Sequence, residues 1–247
     1  MKASAVLFRF RLPINAAIVI LGFWAPWIQL WRIGSHISLL EGLALELSRL
    51  GLLRFTVATP VVIVCGAIIA AIGAVLRIWA SAWLGHGIVL SGQMQSVSLM
   101  ADGPYRYVRN PLYLGIFCVF AALALLMPPT GALFALVGTT AFQLYLIFAE
   151  EEFLTAQVGE PYRAYLRAVP RLFPRLRTTL APTSNKPSWL LAVLSEIVPI
   201  GVFVTLGFLS WTYDESLMGR AILITLGISL IVRALLPGLR PAPSSSE

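Results

Sequence analysis

The sequence predicts an all-α fold: a polytopic integral membrane bundle of about six transmembrane helices. Three observations carry this reading. Only 12% of the 247 residues are charged, against roughly 25% in a soluble domain. The 58% that are apolar gather into six long runs, on the scale of the ~20 residues a bilayer-crossing helix needs. The basic residues lie between those runs and favour one side of the alternation.

The first run covers residues 13–31, with Pro26 as a kink. Lys2, Arg9 and Arg11 precede it, but it exceeds the ~7–15 apolar residues of a signal-peptide core and no A-x-A site follows. It reads as the first membrane helix. Residues 37–50 place Leu39, Leu40, Leu43, Leu47 and Leu50 at helical spacing, with Glu41, Glu46 and Arg49 elsewhere, which predicts an amphipathic helix at the interface. The second run, residues 55–84, is long enough to tilt or protrude. The third and fourth, residues 111–127 and 130–148, are parted by Pro128 and Pro129 and predict a tight helical hairpin. Residues 189–211 and 217–236 supply the fifth and sixth, and residues 237–247 form a Pro/Ser-rich tail expected to be disordered. With no internal repeat, residues 1–247 read as a single membrane domain.

Net charge is +7, yet nucleic acid is excluded as a partner, because the basic residues punctuate apolar runs instead of lining one soluble face. With six crossings, Arg106, Arg109, Arg163, Arg167, Arg171, Arg175 and Arg177 fall on the side of the N-terminus, while Arg32, Arg49, Arg54 and Arg220 fall opposite. The asymmetry predicts both termini in the cytoplasm, in a bacterial-type inner membrane. It also puts the connections at residues 85–110 and 150–180 side by side, at the cytoplasmic base of the hairpin. Cys65 and Cys118 sit in separate apolar runs and His36 and His86 stand alone, so neither a disulfide nor a metal site is expected.

Four clusters can carry chemistry. The stretch from Asp102 to Gly115 holds Gly103-Pro104-Tyr105-Arg106-Tyr107, then Arg109-Asn110-Pro111 and Tyr113. Asn-Pro keeps Asn110 extended, and a helix opens at Pro111 with free N–H groups that attract a carboxylate. The alternative is a basic loop with an interfacial tyrosine belt. Glu150, Glu151 and Glu152 end the fourth run; at about 100° per residue they cannot all face one site, so at least one turns inward near Arg109 or a cationic ligand. A solvated helix end is the alternative. Tyr162, Tyr165, Leu166 and Val169 share one helical stripe, with arginines on another face, as an interfacial helix also would. Arg77 lies inside an apolar run, either snorkelling to headgroups or serving a site.

Taken in order, these clusters resemble the isoprenylcysteine carboxyl methyltransferase and phospholipid methyltransferase superfamily of integral membrane enzymes. Leu76-Arg77-x-Trp79-Ala80-x-x-x-Leu84-Gly85 is followed by Gly103-Pro104-Tyr105-Arg106-Tyr107-x-Arg109-Asn110-Pro111-x-Tyr113-x-Gly115. After the hairpin come Glu150-Glu151-x-x-Leu154, Gly159-x-x-Tyr162-x-x-Tyr165, and Val169-Pro170-Arg171. The likeness spans a methyltransferase-like core at residues 76–174. Asn110 stands where that pattern has histidine, and asparagine cannot shuttle a proton at neutral pH; Val158 stands in place of phenylalanine.

The resemblance implies S-adenosylmethionine as cofactor and a lipidic or isoprenoid-like acceptor at the cytoplasmic face. In that reading Arg109 and the helix start at Pro111 receive the cofactor's carboxylate, Glu150 or Glu151 its ammonium, and Tyr105, Tyr107 and Tyr113 its adenine or sulfonium. Arg109, Asn110 and Glu151 are the candidate catalytic residues, with Glu150 or Glu151 the nearest base for a protonated acceptor. No metal is implied. An NADPH-dependent membrane reductase of the sterol-reductase type and a non-enzymatic transporter or scaffold remain alternatives. A transporter would more often show repeated halves and ionisable residues in mid-span.

Overall fold

A computed structural model describes residues 7–8, 10–24, 37–84, 102–178, 180, 186–212 and 214–235. Residues 25–31 of the first run, residues 85–101 and the tail at 237–247 lie outside them. Nine α-helices and a few short helical turns make up the regular structure of the described residues, and no strand occurs among them. The described parts of all six apolar runs are mainly helical.

Helix α1 (Arg11–Phe23) is followed by α2 (Leu39–Arg49) and the long α3 (Phe55–Leu84). The hairpin is α4 (Pro111–Ala124) and α5 (Pro129–Val158), then comes the short α6 (Glu160–Ala168). The fifth run is broken into α7 (Trp189–Ser195) and α8 (Ile197–Val204), and α9 (Glu215–Leu235) follows. By length and composition α3 and α5 can each cross a membrane, and the α7–α8 pair makes a third candidate if counted as one span. Arg11–Phe23, Pro111–Ala124 and Leu217–Val232 are apolar but shorter. Ile68, Ile72 and Val75 on α3, Leu133 and Val137 on α5, and Leu223, Leu230 and Ile231 on α9 are exposed. Such outward apolar faces suit lipid, not water.

Lipid tails are as apolar as leucine, so these helices associate mainly through close packing and interhelical hydrogen bonds. Glycine makes that approach possible. A Cβ on Gly131 of α5 would lie 1.9 Å from the carbonyl oxygen of Gly22 on α1. One on Gly73 of α3 would lie 3.0 Å from the carbonyl oxygen of Gly115 on α4. The α1–α5 contact is also tied by the Gln143 amide, which donates to Asn15 Oδ1 at 2.8 Å.

Helix α2 is amphipathic as its leucine spacing requires, and it docks on the hairpin's tip. Ser38 caps it: the Glu41 N–H donates to Ser38 Oγ at 3.3 Å, and the Ser38 N–H donates back to Glu41 Oε2 at 3.0 Å. The next two N–H groups reach outside the helix. Leu39 donates to the Met127 carbonyl and Leu40 to the Leu125 carbonyl, each at 2.8 Å. The unsatisfied N–H groups of one helix start thus meet carbonyls left open where α4 ends.

Two departures from the expected elements bear on the site. Helix α5 runs ten residues beyond the apolar run at 130–148, to Val158, so the glutamates sit on a continuous rod and not at a frayed end. The fifth run, expected as one span, bends by 67° at its break. Pro199 supplies the reason: it has no N–H for the Ser195 carbonyl, and its ring crowds that turn. Glu196 occupies the corner.

Candidate active site

Residues 102–110 form the floor of the site. Gly103 has φ +52, a left-handed conformation that L side chains rarely adopt, and a Cβ there would lie 2.3 Å from Trp83 Cδ1. This lets the Gly103–Arg106 3-10 turn sit against the end of α3. The turn is then pinned by the chain after α5. The Tyr165 hydroxyl donates to the Tyr105 carbonyl at 2.9 Å. The Arg109 N–H donates to the Pro170 carbonyl at 2.8 Å, and the Arg175 N–H to the Tyr107 carbonyl at 3.0 Å. Arg106 holds the Leu180 carbonyl through Nε at 3.0 Å and also through Nη2. The tyrosine stripe on α6 is therefore buried packing: Tyr162, Tyr165, Leu154 and Val169 form one apolar cluster. Burial pushes the phenols of Tyr162 and Tyr165 above the ordinary tyrosine range, so both stay protonated.

Glu151 is the hub. Arg109 Nη1 lies 3.1 Å from Glu151 Oε1, and Arg171 Nη2 lies 2.7 Å from Oε2. Arg171 Nε donates as well, at 3.1 Å. Asn110 Nδ2 reaches Glu151 Oε1 at a long 3.5 Å and donates to the Arg171 carbonyl at 3.3 Å. Side-chain exposures of 10% for Glu151 and 13% for Arg109 make their pair a buried one, while Arg171 is 38% exposed. A hydrogen bond from Arg171 to the carboxylate raises the arginine's own pKa, keeping it charged.

Glu150 points elsewhere. It accepts from the Tyr113 hydroxyl at 3.0 Å, and Arg11 of α1 lies within electrostatic range of both. Glu152 is exposed and faces an open groove of about 470 Å³ lined by Phe148, Glu151, Thr155, Ala156, Arg163 and Leu166. The three adjacent carboxylates diverge as one-hundred-degree steps on a helix require. Tyr107 lies beside Trp79, ring centroids 6.2 Å apart, while Tyr105 is buried. Helix α4 opens at Pro111 with no side-chain cap from Asn110.

Two buried polar atoms of this floor, Arg109 Nε and the Tyr105 hydroxyl, have no hydrogen-bond partner among the described residues; nor has Trp83 Nε1 beside them. Native interiors leave few such groups unpaired, so each calls for an explanation such as a ligand.

The sequence reading brought Arg109, Asn110 and Glu151 together, and the structure has them in contact. Three further charged residues pair with or approach side chains of the candidate clusters without a clear signal in the sequence. Val-Pro-Arg shows Arg171 as part of a motif, but not as Glu151's second cation. Arg11 reads from the sequence as a topology determinant. The signal for Glu196 is a lone carboxylate inside an apolar run; it pairs with Arg77 at 2.5 Å. Arg77 therefore serves an internal ion pair and does not snorkel. Among the described residues no cluster of His, Cys, Asp and Glu could hold a metal.

Residues 61–160 match the model of the phospholipid methyltransferase family. The methyltransferase resemblance is borne out over that segment. It takes in Arg77, Tyr105, Arg109, Asn110, Tyr113, Glu150 and Glu151, and it leaves out Arg11, Arg171 and Glu196. Curated relatives of the chain are methyltransferases too. It is 46% identical over 70 residues to a methanethiol S-methyltransferase of Crocosphaera subtropica, covering 28% of this chain and 27% of that one. It is 29% identical over 121 residues to the Mycobacterium tuberculosis methanethiol S-methyltransferase, covering 40% and 49%. Methanethiol S-methyltransferase 2 of Bradyrhizobium diazoefficiens is 37% identical over 91 residues, covering 37% and 33%. The chain thus spans between about a quarter and a half of the length of these relatives. No solved structure matches it.

Proposed function

We propose that the chain is an integral membrane methyltransferase that uses S-adenosylmethionine and methylates an apolar acceptor arriving from the bilayer. The observation that carries this is Arg109: fixed by Glu151 at one end, its Nε is buried and unpartnered beside the uncapped start of α4. A positive fork next to a helix N-terminus suits a carboxylate. The donor set therefore fits the cofactor. Arg109 and the N–H groups after Pro111 take its carboxylate. Glu150, already sharing the Tyr113 hydroxyl, is the carboxylate left for its ammonium. Tyr105, Tyr107 and Tyr113 supply aromatic faces for adenine or sulfonium. Glu151 and Asn110 orient Arg109 and Arg171.

When bound, S-adenosylmethionine supplies an electrophilic methyl on a sulfonium. The chain's own contribution is to align the acceptor in line with that methyl and to keep water out. Asn110 offers hydrogen bonds but no proton transfer. An acceptor that is already anionic or a free amine needs none; one with a proton to lose has Glu150 as the nearest carboxylate. A lipid-like amphiphile is the first reading of the acceptor, because the surrounding helices present apolar walls. The relatives favour a second reading, a small thiol, which is apolar enough to come through the same bilayer. Labelled S-adenosylmethionine with membrane lipids or a volatile thiol separates them: label enters the lipid extract in one case and a volatile thioether in the other.

Calorimetric titration of the purified full-length protein with S-adenosylhomocysteine and with NADPH tests the reaction class; heat with NADPH alone would overturn it in favour of a reductase. Within that experiment Arg109→Lys is expected to weaken S-adenosylhomocysteine by roughly 1–3 kcal/mol, the scale of a charged hydrogen bond lost with the planar fork. Wild-type affinity in Arg109→Ala would sink the assignment. Six crossings with cytoplasmic termini complete the proposal, since S-adenosylmethionine is made in the cytoplasm. Single cysteines at positions 4, 184 and 245 should react with a membrane-impermeant reagent only from the cytoplasmic side.

A further inference from the structure

We propose that Glu196, at the corner of the broken fifth helix, is a positioning residue for the methyl-transfer site and acts through Arg77. The inference rests on the methyltransferase reading above. Glu196 is 1% exposed. It receives Arg77 Nε at 2.5 Å and Nη2 at 3.0 Å, a two-point grip that fixes the guanidinium plane, and the Ser81 hydroxyl at 2.6 Å. The remaining Arg77 nitrogen, Nη1, donates to the Leu112 carbonyl at 3.3 Å. The arginine's stem lies flat across α4 at Gly115, where a Cβ would come within 2.4 Å of Arg77 Cγ.

Arg77 is thus clamped to the first turns of α4 by its apolar stem and its polar head together. Leu112 stands between Pro111 and Tyr113, and Tyr113 donates to Glu150. A continuous path runs from Glu196 through Arg77 and the opening turn of α4 to the carboxylate assigned to the cofactor's ammonium. The unpartnered Tyr105 hydroxyl belongs to a side chain in electrostatic range of Arg77, Glu196 and Glu150. The geometry at the corner is specific: Pro199 breaks the helix so that the carboxylate enters the bundle. An ion pair within a membrane bundle is costly to bury, and well-packed apolar residues would hold two helices together at least as well. Orientation of α4 is what the apolar substitute would not supply. Glu196 also lies outside residues 61–160, so the C-terminal helices contribute to the site from beyond the family segment.

The test uses purified full-length protein, S-adenosylhomocysteine affinity by calorimetry, and thermal melting. Glu196→Gln leaves Arg77 unpaired and is expected to lower both. The double variant Arg77→Met/Glu196→Leu removes both charges at similar volume; its melting should return to that of the wild type while affinity stays about tenfold or more weaker, as for loss of a charged hydrogen bond. A double variant that melts and binds like the wild type would show the pair to be a structural pin and overturn the proposal. If the double variant does not fold, Ser81→Ala decides, because it loosens Glu196 without moving a charge: about threefold weaker binding by the folded variant supports positioning, and unchanged binding overturns it. Absence of any S-adenosylhomocysteine binding by the wild type would instead strike the methyltransferase reading itself.

Discussion

Glu151→Gln is expected to abolish measurable S-adenosylhomocysteine binding and to destabilise the protein by roughly 3–5 kcal/mol, the cost of breaking a buried ion pair by removing one partner. The substitution keeps shape and removes charge. Arg109 and Arg171 both lie on this one carboxylate, so its loss leaves two guanidinium groups facing a neutral amide. Arg171 is 38% exposed and can turn to water, which places the destabilisation toward the low end of that range. Arg109 has no such exit, and its backbone is fastened to Pro170, so the floor of the site moves with it. Glu152→Gln is the control: that side chain is exposed, and neither affinity nor melting should change. Loss of binding in the control with retention in Glu151→Gln would reverse the order of the two glutamates.

Gly131→Ala is expected to cost about 3 kcal/mol or more, at the upper end of overpacking, although alanine is the better helix former. The added carbon would lie 1.9 Å from a backbone oxygen, that of Gly22, and a backbone oxygen cannot rotate away as a side chain can. Helices α1 and α5 would have to part, and the Asn15–Gln143 hydrogen bond would part with them. Gly138→Ala, two turns along the same helix, meets nothing closer than 3.8 Å and should be neutral or slightly stabilising. Melting of both variants in one detergent checks the pair. Equal melting temperatures would show that the α1–α5 contact is looser than the backbone distance requires.

How much of this was legible beforehand follows from what each signal depends on. Apolar run length is a local signal, and the run at residues 55–84 is helical from Phe55 to the last described residue, Leu84, with Pro60 accommodated inside it. The hairpin was legible for the same reason, in Pro128 and Pro129. The end of α5 was not, because polar residues beyond the run at 130–148 are still helical when α6 and residues 169–175 pack against them. The Arg109–Asn110–Glu151 grouping was readable from motif order and the shared side of two connections. The partners Arg171–Glu151 and Glu196–Arg77, and the approach of Arg11 to Glu150, were not, since each joins elements whose proximity in space has no sequence periodicity to announce it. The bend at Glu196 had a local cause in Pro199, yet a proline in a membrane run predicts a kink without saying which side chain it turns inward.

Helix α4 has 14 residues and rises only about 21 Å, short of a hydrocarbon layer of about 30 Å. The turn that follows it would then lie below the far surface, in a medium that offers no water to bond its carbonyls. The N–H groups of Leu39 and Leu40 reach from α2 to the Met127 and Leu125 carbonyls of that turn. The amphipathic helix is therefore a plug over the hairpin's turn, bonding with protein the carbonyls that water would not reach there. Chain order makes the arrangement workable during insertion: α2 is synthesised before the hairpin, so the plug already waits at the membrane when the open carbonyls arrive.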